Sequence, residues 1–228
     1  MKIGIIGSGN IGGTAAKLFV NAGHEVAISN SRGPESLISL VKSIGPNIKA
    51  KTVEDAIKFG EVILLAIPWR KRQNLLSVSE LFDGKIVIDA MNPYSEKFEI
   101  IDLGNSTSSE ELLKQIPSSR LVKAFNTIYY EHLSTKGNPN ASKEDRFAIF
   151  VAGDNSDAKA IVSKLIEDIG FAPVDTGSLG EGGRKQQPGS PIYNNLMTAK
   201  LAHTRLNEIA EMPYPNKHSE SGIQTILY

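Results

Sequence analysis

MKIGIIGSGNIGGTAAKLFVNAGHEVAISNSRGPE, residues 1–35, is the stretch of sequence that decides the fold. A short apolar run, Lys2 to Ile6, breaks at Gly7-Ser8-Gly9-Asn10-Ile11-Gly12, which has the spacing G-x-G-x-x-G. An amphipathic segment follows from Ile11 to Asn21, and a second apolar run covers Glu25 to Ser29. The order strand, glycine turn, helix and strand is the context in which this motif binds a dinucleotide.

Each glycine of the motif has a physical role in a dinucleotide site. Gly7 permits the tight turn, Gly9 lets the backbone approach a pyrophosphate, and Gly12 allows the helix to pack closely on the first strand. The free N–H groups at the start of the helix, at Ser8 to Ile11, would then face the phosphates. A glycine turn with a purely structural role is the alternative, because glycines mark turns of many kinds.

The end of the second strand indicates which dinucleotide is bound. The sequence there is Ser29-Asn30-Ser31-Arg32-Gly33-Pro34, with no acid at Asn30 to hold ribose hydroxyls. An acid would repel a 2′-phosphate, whereas hydroxyls, an amide and a guanidinium would hold it with charge-assisted hydrogen bonds. We therefore predict NADP(H) as the cofactor, held by Ser31 and Arg32 with Asn30 beside them. A polar turn with a solvated Arg32 is the alternative.

Composition narrows the class of protein. The chain has 228 residues, 40% of them hydrophobic, a net charge of zero and no cysteine. These values exclude disulfides, thiolate catalysis and a cysteine zinc site, and nothing attracts the chain to nucleic acid or an anionic membrane. The four histidines lack ligand spacing, so no metal site is expected. The default expectation is a cytoplasmic protein without nucleic-acid or membrane partners, with a homodimer as the usual oligomer.

The remaining sequence alternates apolar strand-like runs with amphipathic helical segments. This pattern predicts an α/β fold of the Rossmann type, with a doubly wound parallel sheet. The polar stretch from Lys136 to Arg146 is the predicted boundary between an NADP-binding domain, residues 1–135, and a small C-terminal α/β lobe, residues 136–228. Helices are predicted over Ser36–Ile44, Arg70–Leu81 and Asn194–Ile209.

Ligands of such sheets bind at the carboxyl ends of the strands, which selects further candidates. Ile67 and Pro68 follow the fourth strand, Asn92 the fifth and Asn126 the sixth. An amide can orient a nicotinamide carboxamide or a substrate carbonyl, but Asn92-Pro93 is also a common turn sequence.

Three other features leave alternatives open. Trp69 either packs on an adenine ring or covers the sheet. The basic run Arg70-Lys71-Arg72 either faces an anion or is a solvated turn. The glycine-rich segment 177–191 is either a lid with hinges or a disordered surface loop.

Several of these motifs together resemble one protein family. The segments KIGIIGSGNIGGTAA, SNSRGPE, AIPW, DAMNP, VKAFNT and QPGSP resemble the NADP oxidoreductase, coenzyme F-420-dependent family, which includes deazaflavin-dependent NADP reductases. The cytosolic domains of the metalloreductases called six-transmembrane epithelial antigens of the prostate are similar.

The resemblance implies a Rossmann domain with a small C-terminal lobe, and NADP(H) held by Ser8 to Ile11, Ser31 and Arg32. It also implies a second, planar redox acceptor, such as the deazaflavin coenzyme F-420 or a flavin, in a cleft near Asn92, Asn126 and residues 187–191. Hydride transfer in a dry, oriented stack needs no acid or base, so no catalytic side chain is predicted. A module that senses NADP(H) or scaffolds a partner, without turnover, is the alternative function.

Overall fold

One sheet of eight strands organises the computed structural model of the protein, which describes residues 1–211. The tail from Pro213 therefore lies outside the described residues. The strands are β1 Lys2–Ile6, β2 Glu25–Ser29, β3 Ile48–Ala50, β4 Val62–Leu65, β5 Ile86–Asp89, β6 Arg120–Ala124, β7 Ala148–Gly153 and β8 Ala172–Gly177. Their spatial order is β3-β2-β1-β4-β5-β6-β7-β8, and the first six run parallel. The predicted Rossmann-type sheet is confirmed.

Helices cover both faces of the sheet, as continuous apolar strands require. In β4 all four residues are buried, and its side chains alternate between the two core clusters on opposite faces. The α-helices are α1 Asn10–Asn21, α2 Ile38–Ile44, α3 Val53–Phe59, α4 Ser108–Leu113, α5 Tyr130–Thr135, α6 Ser156–Asp168, α7 Glu181–Lys185 and α8 Ala199–Glu211.

The strand order reverses direction at β1, which lies between β2 and β4. The chain moves outward through β1, β2 and β3, and then crosses back to pair β4 with β1 on its other side. The connections on the two sides of β1 therefore lie on opposite faces of the sheet, and a crevice opens between them at the carboxyl ends of the strands.

The helix predicted over Arg70–Leu81 is present, but it is not an α-helix. The segment Trp69–Phe82 is a 3-10 helix that is interrupted at Val78 by non-helical backbone. Its buried side chains are Trp69, Leu75 and Phe82. A spacing of six residues between the first two equals two turns at three residues per turn, so the tighter helix keeps both on the sheet face.

Two predicted helix starts also differ from the structure. The helix expected from Ser36 begins as a 3-10 turn, Pro34–Leu37, before α2. The helix expected from Asn194 begins only at Ala199, because the preceding residues run beside β7, where Ala148 N–H donates to the Met197 carbonyl at 2.9 Å.

The C-terminal part extends the same sheet. β7 is antiparallel to β6, and β8 is parallel to β7. The glycine-rich segment 177–191 contains α7, and Gly182, Gly183 and Gln186 are buried. This packing argues against a disordered loop, whereas a lid role and the domain boundary at residue 135 remain predictions. Within residues 1–211, no helix has the length and apolar character needed to cross a bilayer.

Candidate functional site

A cleft of about 480 Å³ opens at the carboxyl ends of β1, β2 and β4, where the strand order reverses. Eight of the residues that the sequence selected for the cofactor line it: Gly7, Ser8, Gly9, Asn30, Ser31, Arg32, Ile67 and Pro68. Apolar walls come from Ile6, Val53, Ala66 and Leu75. Lys71, from the basic run for which the sequence left two alternatives open, also lines the cleft, and the sequence argument missed Asn74. Both the volume and the mixture of apolar walls with a few polar groups are typical of a small-molecule site.

The glycine turn closes the cleft with geometry that only glycine permits at two positions. Gly7 has φ +110°, and a Cβ there would lie 2.2 Å from the carbonyl oxygen of Ala66. A Cβ on Gly12 would lie 2.0 Å from the carbonyl oxygen of Gly7. At Gly9, by contrast, a Cβ would meet no atom within 4 Å. Gly7 and Gly12 thus shape the turn, while Gly9 leaves open space in front of the backbone, which fits the approach of a pyrophosphate.

Asn30 links the glycine turn to the segment that carries Ser31 and Arg32. Its side-chain amide donates to Ser8 Oγ at 3.2 Å and to Ser36 Oγ at 3.0 Å, and its oxygen accepts the Arg32 N–H at 2.9 Å. These bonds fold the Ser31–Arg32 turn onto the mouth of the cleft. Asn30 therefore organises the turn, while Ser31 and Arg32 are exposed and available to a ligand.

The electrostatic character of the cleft favours an anion. Arg32 and Lys71 both line it, and no Asp or Glu is among its lining residues in the described part of the chain. Two cations that line one cleft together with the hydroxyl of Ser31 and the amide of Asn74 fit a phosphate, which they can hold with charge-assisted hydrogen bonds.

The structure separates the members of the basic run at residues 70–72. Lys71 lines the cleft, whereas the Arg72 guanidinium stacks on Trp69, 4.0 Å from the ring centroid, and donates to the Trp69 carbonyl. Trp69 itself is only 2% exposed and belongs to a core cluster. Trp69 therefore covers the sheet, and only one residue of the run faces the candidate site.

The other predicted site residues lie outside the cleft lining. Asn10, Ile11 and Gly12 form the first turn of α1, directly after the glycine turn. Asn92 and Asn126 meet each other at the ends of β5 and β6: Asn92 Nδ2 donates to the Asn126 carbonyl at 2.9 Å, and Asn126 Nδ2 donates to Asn92 Oδ1 at 3.1 Å. The sequence placed these two amides at neighbouring strand ends, and the structure brings them into direct contact.

Two tyrosines meet beside this pair of asparagines. Tyr193 Oη lies 3.3 Å from Asn92 Nδ2 and 3.3 Å from Tyr94 Oη, although Tyr94 and Tyr193 are 99 residues apart. The C-terminal segment is also joined here through the Gln186 carbonyl, which accepts from Asn126 Nδ2 at 2.8 Å. A polar network therefore connects the ends of β5 and β6 to the segment after β8.

A buried ion pair below these strand ends was not found from the sequence. Lys123 Nζ lies 3.0 Å from Asp89 Oδ2, and the two side chains are 1% and 0% exposed. Burial lowers the pKa of Lys123, and the Asp89 carboxylate opposes that shift. The signal in the sequence was a charged residue within each of two apolar strands, since such residues are almost never fully buried unless they are paired.

A site for a metal ion is not formed by the described residues, since no three His, Asp or Glu side chains within residues 1–211 come together. The arrangement around the cleft therefore offers phosphate-binding groups and amides, and the buried Lys123–Asp89 pair near the strand ends is sealed from solvent.

Comparisons with known proteins agree with this geometry. Residues 2–93 match the family described as NADP oxidoreductase, coenzyme F-420-dependent. A hypothetical protein from Sinorhizobium meliloti, whose crystal structure is solved, is 34% identical, with a TM-score of 0.77 over 87% of this chain and 95% of that one. A protein from an Arthrobacter species, provisionally assigned as an F-420-dependent NADP reductase, has a TM-score of 0.68 over 92% of this chain and 91% of that one. At 22% identity, it shows the fold alone.

Among curated relatives, Metalloreductase STEAP3 of Rattus norvegicus is 30% identical over 178 residues. That match covers 78% of this chain and 34% of the relative. The chain therefore spans about a third of the length of the curated relatives it matches.

Proposed function

Because residues 2–93 belong to the NADP oxidoreductase, coenzyme F-420-dependent family, we propose that the chain is an NADP(H)-dependent oxidoreductase with a planar redox acceptor. The acceptor class is a deazaflavin such as coenzyme F-420, or a flavin. The observation that carries the proposal is the cleft at the reversal of strand order, which combines the open glycine turn with Arg32 and Lys71 and has no acid in its lining.

The division of roles follows from the contacts. The backbone of residues 8–11 holds the pyrophosphate, since Gly9 leaves space there. Ser31, Arg32 and Lys71 bind the 2′-phosphate, and Asn30 holds the turn that presents them. Ile67 and Pro68 form an apolar wall of the cleft.

The reaction needs orientation more than proton transfer by the protein. NADP(H), when bound, supplies or accepts the hydride, and the acceptor exchanges its proton with water. The chain contributes the amides of Asn92 and Asn126, whose orientations are fixed by their mutual hydrogen bonds, and Asn126 Oδ1 is left as an acceptor for the NH2 group of a carboxamide. The buried Lys123–Asp89 pair is sealed from solvent and does not act as an acid or base on the acceptor.

A second function is favoured by one specific observation. Tyr94 and Tyr193 meet beside Asn92, where an acceptor slot would open in an enzyme. If this pair stays closed, the chain binds NADP(H) without turnover and acts as a sensor of the NADPH/NADP ratio or as a scaffold.

NADPH oxidation against four acceptors tests the choice between the two functions. The panel is a deazaflavin, riboflavin phosphate, a quinone and a ferric chelate, with the loss of reduced nicotinamide followed by absorbance. The enzyme proposal predicts turnover with at least the deazaflavin or riboflavin phosphate, and a raised KM for NADPH in Arg32→Ala. No turnover with any acceptor, together with tight NADPH binding, would favour the sensor. Turnover with the same KM in Arg32→Ala would point to a contaminant.

A further inference from the structure

The Lys123–Asp89 ion pair is buried in the core, where charged groups lose their hydration at a cost in free energy. The two residues are direct Cα partners in the parallel register of β5 and β6, and both side chains are almost completely buried. Removing two charges from water costs several kcal/mol, and apolar residues of the same size are often as stable or more stable. General stability is therefore a weak explanation for this pair, and its contacts indicate what it holds.

Both members of the pair contact the backbone of Met91, the residue before Asn92. Asp89 Oδ1 accepts the Met91 N–H at 2.9 Å, and Lys123 Nζ donates to the Met91 carbonyl. Two serines at the start of α4 complete the arrangement: Ser109 donates to Asp89 Oδ2 at 2.7 Å, and Lys123 donates to Ser108 Oγ at 3.2 Å. All three donors of the ammonium group are thereby used. The pair fixes the bend after β5 through both backbone groups of one residue.

This bend sets the position of the Asn92 amide. Backbone carbonyls only accept hydrogen bonds, so the bonds to the carbonyls of Asn126 and Gln186 determine which way both asparagine amides point. With its nitrogen committed to Asn92 Oδ1 and the Gln186 carbonyl, Asn126 keeps Oδ1 as a buried acceptor without a partner among the described residues. A buried amide of fixed orientation whose oxygen has no partner can accept a hydrogen bond from a donor group of a ligand.

We propose that Lys123 and Asp89 are positioning residues for the nicotinamide end of the cofactor site: by holding Met91, they hold the Asn92–Asn126 amides in a fixed orientation. The inference rests on the proposed function, because it requires that NADP(H) is the ligand. It predicts that the pair affects the nicotinamide half of the ligand and leaves the adenine half unaffected, since Arg32 and the glycine turn lie outside this network.

The test compares two ligands by titration calorimetry: 2′,5′-ADP, which is the adenine half alone, and NADP⁺. The variant is Asp89→Leu/Lys123→Met, which removes both charges and both contacts with Met91. The matched control is Leu121→Val, two residues earlier on the same face of β6, which disturbs core packing without removing a charge. The quantity measured is the ratio of the NADP⁺ affinity to the 2′,5′-ADP affinity.

We expect the ratio to fall about tenfold in the double variant, the loss of one or two hydrogen bonds to the ligand, while 2′,5′-ADP binds as in the parent. The control should lower the melting temperature and leave the ratio unchanged. If the double variant does not fold, Asp89→Asn/Lys123→Met replaces it; this variant leaves no unpaired buried charge and keeps an acceptor for the Met91 N–H, and the ratio should fall roughly threefold because only the contact with the Met91 carbonyl is lost.

Each outcome separates this inference from the proposed function. A ratio that stays within about twofold of the parent in the charge-pair variants overturns the positioning role. An equal fall in the control would also overturn it, because general destabilisation would then be the cause. A parent protein that binds neither ligand refutes the proposed function itself.

Discussion

Replacing Arg32 with alanine should separate the two nicotinamide dinucleotides. Arg32 is exposed and lines the cleft together with Ser31, and its backbone N–H, which the substitution keeps, donates to Asn30 Oδ1 at 2.9 Å. NADPH differs from NADH only by the 2′-phosphate, so a residue that binds this group should affect one ligand and spare the other.

The magnitude follows from the contact that is lost. A hydrogen bond to a charged group contributes about 1.5–3 kcal/mol, which corresponds to roughly a tenfold to 150-fold weaker Kd for NADPH. Because Arg32 is exposed, salt should screen its interaction with the 2′-phosphate, and the difference in NADPH affinity between the parent and Arg32→Ala should shrink as ionic strength rises. NADH affinity should stay nearly unchanged, since the ribose hydroxyls offer no charge to the guanidinium.

Titration of the parent and Arg32→Ala with NADPH and NADH, at low and high salt, provides the measurement. Arg205→Ala is the matched control, because Arg205 is a partly exposed arginine in α8 that pairs with Glu208 and is absent from the cleft lining. An equal loss of affinity for both dinucleotides in Arg32→Ala would refute the assignment of this residue to the 2′-phosphate.

Three further predictions test other parts of the molecule. Gly9→Ala should lower the free energy of unfolding by less than about 1 kcal/mol but bind both dinucleotides poorly, because a Cβ there fills the space left for the pyrophosphate. Gly12→Ala places a Cβ 2.0 Å from a carbonyl oxygen, so it should lower the free energy of unfolding by about 1–3 kcal/mol or more in a denaturant titration. Similar stabilities of the two variants would argue against these roles. Lys71→Ala should weaken the binding of NADPH about twofold to tenfold, because Lys71 lines the cleft. Arg70 does not line it, so Arg70→Ala should leave NADPH binding unchanged. Equal effects of the two substitutions on NADPH affinity would contradict this role of Lys71. Burial is the main cause that lowers the pKa of His24 below its ordinary 6.5, so the unfolded chain takes up the proton first. Stability should therefore be full above about pH 6.5 and fall as the pH drops through that value, and His24→Gln should flatten the change of melting temperature between about pH 7.5 and 5. If the melting temperature of His24→Gln depends on pH as in the parent, groups other than His24 cause the loss of stability at low pH.

The sequence predicted the parts of the fold that depend on local order. The bounds of β1 and β2 agree with the expected apolar runs, because each run is closed by glycines within a few residues. The absence of an acid at Asn30 could also be read directly, and the structure adds that its amide links Ser8 to the Ser31–Arg32 turn.

Features that depend on helix pitch were not predictable in the same way. In the basic run 70–72, the residue that faces the cleft depends on whether the chain turns with three or 3.6 residues per turn. The 3-10 geometry buries Trp69, stacks Arg72 on it and leaves Lys71 at the cleft. No periodicity in the polar sequence distinguished these outcomes.

Contacts between distant parts of the chain were the least predictable. Lys123 and Asp89 are 34 residues apart, and Tyr94 and Tyr193 are 99 apart. Such pairs depend on strand order and register, which local sequence does not encode. The sequence did place Asn92 and Asn126 at neighbouring strand ends, but only the register of β5 and β6 shows that the two amides bind each other.

The central claim is that the cleft at the reversal of strand order selects a dinucleotide that carries a 2′-phosphate. Calorimetric titration of the unaltered protein with NADP⁺ and NAD⁺, in one buffer of low ionic strength, tests it most directly. The account predicts that NADP⁺ binds at least about tenfold more tightly, since Arg32 and Lys71 meet a phosphate that NAD⁺ lacks. Equal affinity for the two, or tighter binding of NAD⁺, would contradict it.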